Sequence, residues 1–352
     1  MPDHAQADHE GLLIRADAST QLGAGHAMRC FALAKAWQKS GGRVTIAMSE
    51  ALPGMQERFR NEGIRVEHVS FLEGGSKEDA KQTGALGLRI GARWTVVDGY
   101  HFEPAYVRHL RDAGNRVLLF DDDGCFGEYC SDVVLNQNLG ASEEMYLQRS
   151  ECTKLMLGTD YALLRPEFLS IDRFHEPVPA TNRLLVCMGG SDAENVTEKA
   201  IQAAAQVGGK MQTTVVVGSG NPHQEQLRGL AARLPGVRIQ HNPANMAELM
   251  CEADLAVSAA GSTCWELAYL GVPMIVTAIA KNQEKNAQAL AERGAAINLG
   301  WHENASLTEI SNSIGQLAGD VVRRRAMSQA ARNLVDGLGA KRVINVLRGA
   351  TA

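Results

Sequence analysis

The stretch LLIRADASTQLGAGHAMRCFALAKAWQKS, residues 12–40, decides the fold. It opens with a short apolar run and continues through a glycine turn into a helical pattern. Phe31, Ala34 and Trp37 recur at intervals of three, as one buried face of a helix requires. Two glycines then end the helix, and a second apolar run, RVTIAM, follows at 43–48. The stretch is therefore a β-α-β unit, which predicts a parallel sheet covered by helices.

The same alternation runs along most of the chain. Apolar runs alternate with helical patterns up to RVLLFDDD (116–123), and the rhythm restarts at RLLVCMGGS (183–191) and continues to a helix at 282–293. Residues 132–168 interrupt it, and residues 306–349 are predicted to be wholly helical. Two such series indicate two Rossmann-like halves, and ligands of such sheets bind at the carboxyl ends of the strands.

We therefore predict an α/β fold of two Rossmann-like domains with mainly parallel sheets that face a cleft. The predicted divisions are an N-terminal domain at 11–165, a linker at 166–182, a C-terminal domain at 183–340 and a C-terminal helix or tail at 341–352. The end of the linker contains two prolines and few apolar residues, which is typical of a connection between domains.

Composition narrows the classes of protein that the chain can represent. Of 352 residues, 45% are hydrophobic, and 35 Lys and Arg stand against 40 Asp and Glu, a net charge of −5. The acidic excess argues against a nucleic-acid or anionic-membrane surface, and no apolar segment reaches the ~18 residues of a membrane span. The first ten residues are polar and acidic, so no signal peptide is expected. The odd count of 7 cysteines fits reduced thiols, so we expect a cytoplasmic protein and, without heptad repeats, a monomer.

The first glycine turn, in LGAGHAMR, precedes a helix. Gly23 and Gly25 allow the backbone to approach a ligand closely. His26 lies at the helix N-terminus, where the dipole favours a neutral imidazole and bound anions. A neutral imidazole accepts a proton near pH 7, so the turn suits a general base beside a phosphate ester; the alternative is a tight turn with a surface histidine. The turn lacks the full GxGxxG pattern, which disfavours a hydride-transfer cofactor.

A second turn in the later half, SAAGSTCWELAYLGVP (258–273), also joins a strand to a helix. Ser262 or Thr263 can cap this helix or bind phosphate. Glu266 lies one helical turn further on and suits two vicinal hydroxyls, such as those of a ribose. The alternative is ordinary capping, with Glu266 in a capping box.

Three weaker signals lie at other strand ends. In MGGSD, Gly190 and Ser191 form either a second phosphate cradle or a plain turn with a good cap. Tyr100, in VVDGYH, offers a flat ring and a hydroxyl at the end of a strand. Asn282, in AKNQEKNAQAL, starts a predicted helix, where asparagine is usually a structural cap.

The acidic run FDDD (120–123) raises the question of a metal. Such a cluster can hold Mg²⁺ through water and substrate phosphates, although it is more often a solvated turn. His26 and Cys30 share a helix face, but two ligands do not make a zinc site. We expect neither a metal nor a cofactor.

Taken together, the motifs RADASTQLGAGHAMRC, VVDGY, VVLNQN, YALLRPEF, MGGSD, GSTCWE, KNQ and DGLGAKRV resemble, in residues and order, those of the pseudaminic acid biosynthesis UDP-sugar hydrolases. The resemblance covers about residues 11–348. The GSTxxE pattern is shared with the wider GT-B glycosyltransferase superfamily, including the peptidoglycan GlcNAc transferase. The resemblance implies a GT-B fold and metal-independent hydrolysis of UDP-2,4-diacetamido-2,4,6-trideoxy-β-L-altropyranose to the free sugar and UDP, with inversion at the anomeric carbon. This step belongs to the route to pseudaminic acid, a nonulosonate of bacterial flagellins and surface glycans.

On the sugar side, the resemblance implies that His26 is the general base and that Tyr100 and Asn282 lie near the sugar. We expect a single displacement, in which His26 takes a proton from a water on the face opposite UDP and that water attacks C1. UDP is a good leaving group, so no general acid is required. The expected partners are the UDP-sugar and water, without nucleic acid or membrane.

On the nucleotide side, the resemblance implies that Glu266 binds the uridine ribose, with Ser262 and Thr263 at the diphosphate. The resemblance also implies that Arg165, in YALLRPEF, reaches the ligand. Helix N-termini here and at Ser191 would spread the charge that develops on the leaving diphosphate. The chain departs from the family pattern in a polar N-terminal extension of about ten residues and in an Asp triplet whose third member has no assigned role.

Three other functions remain open at this point. A GT-B glycosyltransferase that uses a UDP-amino sugar would share the nucleotide half and would need an acceptor groove. A non-catalytic nucleotide-sugar binding protein would keep Glu266 and the glycine turns but would have no need of His26. A hydrolase of a related UDP-diacetamido sugar would differ in the pocket around the 4-acetamido and 6-methyl groups, which the sequence does not define.

Overall fold

The computed structural model describes residues 10–19, 23–70, 73–171, 177–179, 181–207 and 211–349. The polar N-terminal extension up to residue 9 lies outside these ranges, as do residues 350–352 of the predicted tail and residues 172–176 and 180 of the predicted linker.

Strands and helices alternate along the described ranges. The strands are β1 (Gly11–Ala16), β2 (Arg43–Met48), β3 (Arg65–His68), β4 (Ala92–Asp98), β5 (Val117–Phe120), β6 (Val133–Asn136), β7 (Lys154–Leu157), β8 (Arg183–Cys187), β9 (Gln212–Val217), β10 (Val237–His241), β11 (Leu255–Ala259), β12 (Met274–Ala278) and β13 (Ala296–Trp301). The helices are α1 (Gly25–Lys39), α2 (Met55–Asn61), α3 (Lys77–Arg89), α4 (Pro104–Asp112), α5 (Pro166–Leu169), α6 (Val196–Val207), α7 (Gln224–Ala231), α8 (Met246–Glu252), α9 (Thr263–Leu270), α10 (Glu284–Glu292), α11 (Leu307–Gly319), α12 (Val321–Arg332) and α13 (Gly339–Arg348). Short 3₁₀ turns occur at Glu143–Tyr146, Thr159–Tyr161 and Lys281–Gln283.

The described strands form two sheets, and all of the strand pairs in them are parallel. The strand order is β3-β2-β1-β4-β5-β6-β7 in the first sheet and β10-β9-β8-β11-β12-β13 in the second. In each sheet the chain winds outward from a central strand in one direction and then returns to wind in the other. This is the doubly wound arrangement, and the predicted α/β class with two Rossmann-like halves is confirmed.

The opening stretch folds as its pattern predicts. Every residue of β1 is buried, because helices cover both faces of a parallel sheet. The helix α1 buries Phe31, Ala34 and Trp37, and the Trp37 indole donates to the Glu10 carbonyl oxygen at 3.0 Å. Full burial of a side chain such as Phe31 contributes about 1.5–3 kcal/mol, so this face anchors the helix and the loop before it.

The strands β6, β7 and β13 were not predicted. Residues 132–168 were expected to interrupt the alternation, yet β6 and β7 extend the first sheet in parallel register. Each has only 4 residues, and neither is preceded by a long helix. The edge strand β13 is mostly half-buried, so it lacks the continuous apolar run that marks a central parallel strand.

The C-terminal helix α13 returns to the first half of the molecule. Its residues Val343, Ile344 and Leu347 join the core cluster that contains β1 and α1. The Trp94 indole in β4 donates to the Leu347 carbonyl oxygen at 2.7 Å. By contrast, α12 packs on α9 of the second half. The chain therefore crosses between the two halves twice, once before β8 and once between α12 and α13.

None of the described helices combines the length and the apolar composition that a bilayer crossing needs.

Candidate active site

A cavity of about 560 Å³ lies between the two halves, at the carboxyl ends of both sheets. Doubly wound sheets bind ligands where the winding direction reverses, because the loops of the two flanking strands diverge there. In the first sheet the direction reverses at the neighbouring strands β1 and β4, and in the second sheet it reverses at the neighbouring strands β8 and β11. The loops that follow these four strands all contribute to the cavity wall.

The residues predicted from the sequence come together in this one cavity. Its lining includes the predicted general base, the glycine turns, the sugar-side pair and the nucleotide-side group: His26, Gly23, Gly25, Gly190, Ser191, Tyr100, Asn282, Arg165, Ser262, Thr263 and Glu266. Their shared location is a finding of the structure, whereas the role of each residue stays a prediction.

The glycine turns of the two halves approach each other closely at the cavity wall. Gly23 has a φ of +73°, a left-handed conformation that favours glycine. A Cβ on Gly190 would lie 2.9 Å from the Ala24 amide nitrogen, and a Cβ on Gly218 would collide with the Gly190 carbonyl group. The turn that carries His26 therefore packs directly on the turn after β8, which larger residues at position 190 would prevent.

His26 is held by a carboxylate rather than exposed to solvent. Its Nδ1 lies 2.6 Å from Asp98 Oδ1, at the end of β4, and its side chain is 8% exposed. A carboxylate oxygen only accepts hydrogen bonds, so Nδ1 carries the hydrogen and Nε2 is the basic nitrogen of the neutral ring. The alternative of a surface histidine in a tight turn is wrong, because the imidazole is buried and oriented.

Asp98 is fully buried and also accepts hydrogen bonds from Arg29, at 2.6 Å from Nη2 and 2.7 Å from Nε. Burial opposes ionisation of Asp98, but Arg29 and then His26 lower its pKa far below the usual range. Arg29 donates from Nη1 to Asp122 Oδ1 at 2.6 Å. One guanidinium thus joins two buried carboxylates beside the imidazole.

Tyr100 links this cluster to the other half of the molecule. Its hydroxyl donates to Asp122 Oδ2 at 2.9 Å and accepts from Asn282 Nδ2 at 2.6 Å. The Tyr100 ring meets the His26 ring edge-on, with centroids 4.7 Å apart. Asn282 lies in a 3₁₀ turn and caps no helix, because Gln283 is the N-cap of α10. The helix was predicted to start at Asn282, whereas α10 begins two residues later, at Glu284.

On the side that is predicted to bind the nucleotide, Glu266 forms a bidentate ion pair with Arg165, the residue before α5. Arg165 Nε and Nη2 lie 2.7 and 3.0 Å from the two Glu266 carboxylate oxygens. Among the described residues, Ser262 is the N-cap of α9 but its side chain makes no capping hydrogen bond. The alternative of ordinary capping is therefore not realised.

In the acidic run FDDD, Asp121 and Asp122 are buried, so the interpretation of the run as a solvated turn is wrong for these two members. Asp122 pairs with Arg29, and Asp121 accepts from the Gly124 amide and the Tyr129 hydroxyl. Burial raises the pKa of Asp121. Asp123 accepts from the Cys125 amide, a local turn contact. No group of His, Cys, Asp and Glu in the described ranges has the arrangement of a metal site.

Several site residues were missed in the sequence. Asp98 ends the strand that pairs with β1, and Arg29 lies three residues after His26 on the same helix face. Asn286 Nδ2 donates to Asn138 Oδ1 at 2.9 Å, which adds a second polar contact across the cleft. The available signal was position, because Asp98 follows a buried strand at the point where the sheet reverses direction.

Comparison with known proteins supports a GT-B-like fold. Residues 183–343 match the family model described as the glycosyltransferase family 28 C-terminal domain. Over the full chain, MurG of Acinetobacter baumannii superposes with a TM-score of 0.64 at 17% identity, covering 97% of this chain and 99% of that one. MnaA of S. aureus, solved with UDP, superposes with a TM-score of 0.68 at 12% identity, covering 96% of each chain. These likenesses show the fold alone.

Curated relatives carry different names. The chain is 29% identical to the spore coat polysaccharide biosynthesis protein SpsG of Bacillus subtilis, over 66% of this chain and 69% of that protein. It is 26% identical to the UDP-2,4-diacetamido-2,4,6-trideoxy-beta-L-altropyranose hydrolase of Campylobacter jejuni, over 80% of this chain and 97% of that protein. It is 31% identical to the UDP-N-acetylglucosamine--N-acetylmuramyl-(pentapeptide) pyrophosphoryl-undecaprenol N-acetylglucosamine transferase of Pseudomonas fluorescens, over 47% of this chain and 48% of that protein. The C-terminal half is thus similar to glycosyltransferase domains, and a hydrolase aligns along nearly its whole length.

Proposed function

We propose that this protein hydrolyses UDP-2,4-diacetamido-2,4,6-trideoxy-β-L-altropyranose to the free sugar and UDP, a step in pseudaminic acid biosynthesis. The observation that carries the proposal is the buried His26–Asp98 pair at the wall of the interdomain cavity. The Campylobacter hydrolase, aligned over 97% of its length, supports the choice of substrate. We propose further that the enzyme acts as a cytoplasmic monomer and needs no metal.

In the proposed reaction, water attacks the anomeric carbon of the sugar. His26 Nε2 takes the proton of the attacking water while its Nδ1–H stays bonded to Asp98. The Asp98 carboxylate stabilises the imidazolium that forms and fixes the ring orientation. The new bond joins water oxygen to C1, the bond from C1 to the diphosphate oxygen breaks, and UDP leaves with the electron pair. Attack from the face opposite UDP inverts C1.

The nucleotide binds across the second half in this proposal. Ser262 and Thr263, at the start of α9, meet the diphosphate, where the positive end of the helix dipole favours an anion. Glu266 meets the ribose hydroxyls beside Arg165. The turns at Gly23, Gly25, Gly190 and Ser191 let the backbone approach the phosphates, and Tyr100 with Asn282 lies on the sugar side. Negative charge on the departing UDP is thereby stabilised without a metal.

Incubation of the wild-type protein with the UDP-diacetamido sugar as its only substrate tests this proposal. Without metal and without acceptor, we expect equal amounts of UDP and free sugar, and NMR in deuterated buffer should first show the inverted anomer. His26→Gln should lower kcat by roughly 10²–10⁴-fold with little change in KM. Absence of turnover by the wild-type protein, or near-normal turnover by His26→Gln, would overturn it.

A GT-B glycosyltransferase that uses a UDP-amino sugar is the second candidate. It is favoured by the match of residues 183–343 to the glycosyltransferase family 28 C-terminal domain. Such an enzyme would release UDP quickly only when an acceptor is added, so the same assay separates the two activities. A non-catalytic binding protein would bind UDP and release nothing, but it would have no need of a buried carboxylate behind the imidazole.

A further inference from the structure

The charges around His26 are unusual, because one cation serves two carboxylates. Arg29 engages both oxygens of Asp98 through Nε and Nη2, and it reaches Asp122 through Nη1. The three side chains are 8%, 0% and 5% exposed, so water screens their charges weakly. Arg29 Nη2 also lies 3.1 Å from His26 Nδ1.

Charged and titratable groups surround the imidazole on every packed element. On its own half these are Arg29 and Cys30 from α1, Asp98 and Tyr100 from the end of β4, and Asp122 after β5. The other cavity walls carry Arg58, Arg165, Asp192, Glu194 and Glu266. Arg165 and Glu266 neutralise each other as an ion pair. The net charge beside the His26 imidazole is therefore set mainly by Arg29, Asp98 and Asp122.

Two carboxylates next to an imidazole create a conflict for a general base. They stabilise the imidazolium formed during the reaction, but without a counter-charge they would also hold a proton on the resting ring. A ring that is already protonated cannot accept a proton from water. Arg29 makes a bidentate contact to Asp98 and a single contact to Asp122, so its positive charge lies where it offsets one of the two negative charges.

We propose that Arg29 is a positioning residue that keeps His26 free to accept a proton, by offsetting one of the two negative charges that Asp98 and Asp122 place beside it. This inference rests on the proposed function, in which His26 is the base. It predicts that charge changes at positions 29 and 122 act on His26 in opposite directions and cancel when combined.

The pH profile of kcat/KM provides the first test. Asp122→Asn removes one negative charge and should move the acid limb to lower pH by about one unit. Arg29→Met removes the positive charge and should move it to higher pH by at least as much. The double variant Arg29→Met with Asp122→Asn should return the limb close to its wild-type position. Arg29→Lys keeps the charge, so it should keep the limb but lower kcat, because the two-point hold on Asp98 is lost.

Two controls separate charge from structure. Asp79 is a fully buried carboxylate paired with Arg15 in the same half, and it does not line the cavity. Asp79→Asn should therefore leave the acid limb in place. Arg29→Lys is the second control, because it keeps the charge and changes only the geometry of the contact, so it should also leave the limb in place. Arg29→Met leaves two buried carboxylates without their positively charged partner, so this variant can fail to fold. In that case Asp122→Asn and the double variant provide the test.

A direct reading of the imidazole makes the inference independent of turnover. With ¹⁵N-labelled histidine and no ligand, the ring signals of His26, assigned with His26→Gln, report its pH midpoint in each variant. Opposite shifts for the single variants and their cancellation in the double variant are the expected result. An unchanged midpoint in Asp122→Asn, or an equal shift in Asp79→Asn, would overturn the inference even if the enzyme hydrolyses its substrate. The expected shifts in a protein without hydrolytic activity would instead overturn the proposed function alone.

Discussion

Replacement of Asp98 by asparagine tests the pair that carries the proposed chemistry. Asp98 Oδ1 accepts from His26 Nδ1 and Arg29 Nη2, both at 2.6 Å, and Oδ2 accepts from Arg29 Nε at 2.7 Å and Cys30 Sγ at 3.3 Å. All of these partners are donors. An asparagine keeps the shape but turns one acceptor into an NH₂ group. Facing the imidazole, this NH₂ donates to Nδ1 and favours the tautomer that carries its hydrogen on Nε2, which cannot then accept a proton; facing the guanidinium, it meets only donors.

Three magnitudes follow from this geometry. The imidazolium loses its counter-charge and its orientation, so kcat should fall by roughly 10²–10⁴-fold, the usual contribution of a positioned general base. KM should change by less than about threefold, because a fully buried Asp98 has no contact with a ligand in the cavity. Breaking a buried ion pair costs about 3–5 kcal/mol, and the low end applies because Arg29 keeps Asp122 as a partner.

The assays are steady-state UDP release and urea denaturation followed by circular dichroism. Asp79→Asn is the matched control, since it is the same substitution at an equally buried carboxylate paired with Arg15. We expect both variants to unfold at lower urea, but only Asp98→Asn to lose kcat. If Asp98→Asn retained kcat within about threefold of the wild type, or if both variants lost it equally, the role assigned to the His26–Asp98 pair would be refuted.

Three further predictions concern the nucleotide site, the buried charges and the contact across the cleft. Glu266→Ala should raise the Kd for UDP by about tenfold or more, because a hydrogen bond to a charged group contributes about 1.5–3 kcal/mol; calorimetry showing an unchanged Kd would remove Glu266 from the ribose site. Burial opposes ionisation of Asp98 and Asp122, but Arg29 lowers the pKa of both carboxyl groups below the unfolded-state value of about 3.9. The two ionised carboxylates therefore stabilise the folded state above that pH, and this stabilisation is lost as the pH falls below it. The urea midpoint of the wild type should therefore fall between about pH 5 and pH 3, and Asp122→Asn should show a shallower fall; equal slopes would contradict this. Asn282→Ala removes the exposed hydrogen bond between Asn282 and Tyr100, so it should leave the thermal midpoint nearly unchanged but lower kcat/KM by about tenfold. An unchanged kcat/KM would exclude a role for this contact in closing the site.

The central strands and long helices were predictable because their patterns are local. A parallel strand covered on both faces appears as a continuous apolar run, as in β1 and β11, whose residues are all buried. The strands β6, β7 and β13 gave no such signal, because two are only 4 residues long and the third is half-buried at a sheet edge. Their place depends on a neighbouring strand, and sequence periodicity does not report neighbours.

The site shows the same division between local and long-range information. Gly23, Gly25 and His26 were predictable because a glycine turn before a helix is a local feature. The roles of Asp98 and Arg29 were not predictable, because Asp98 meets the helix that carries His26 and Arg29 only when β4 lies beside β1. His26 and Asp98 are 72 positions apart in the sequence. The bidentate pairing of Arg165 with Glu266 likewise joins residues 101 positions apart. Such contacts depend on how distant strands and helices pack together, which a single sequence does not fix.

Hydrolysis in H₂¹⁸O tests the attack of water on the sugar most directly. The wild-type protein is incubated with the UDP-diacetamido sugar alone, and both products are analysed by mass spectrometry at early times, before the free sugar exchanges its anomeric oxygen. Attack at C1 predicts one ¹⁸O in the free sugar and none in UDP, with His26→Gln forming neither product at a comparable rate. Label in the β-phosphate of UDP, or no release of UDP until an acceptor is added, would contradict the proposed hydrolysis.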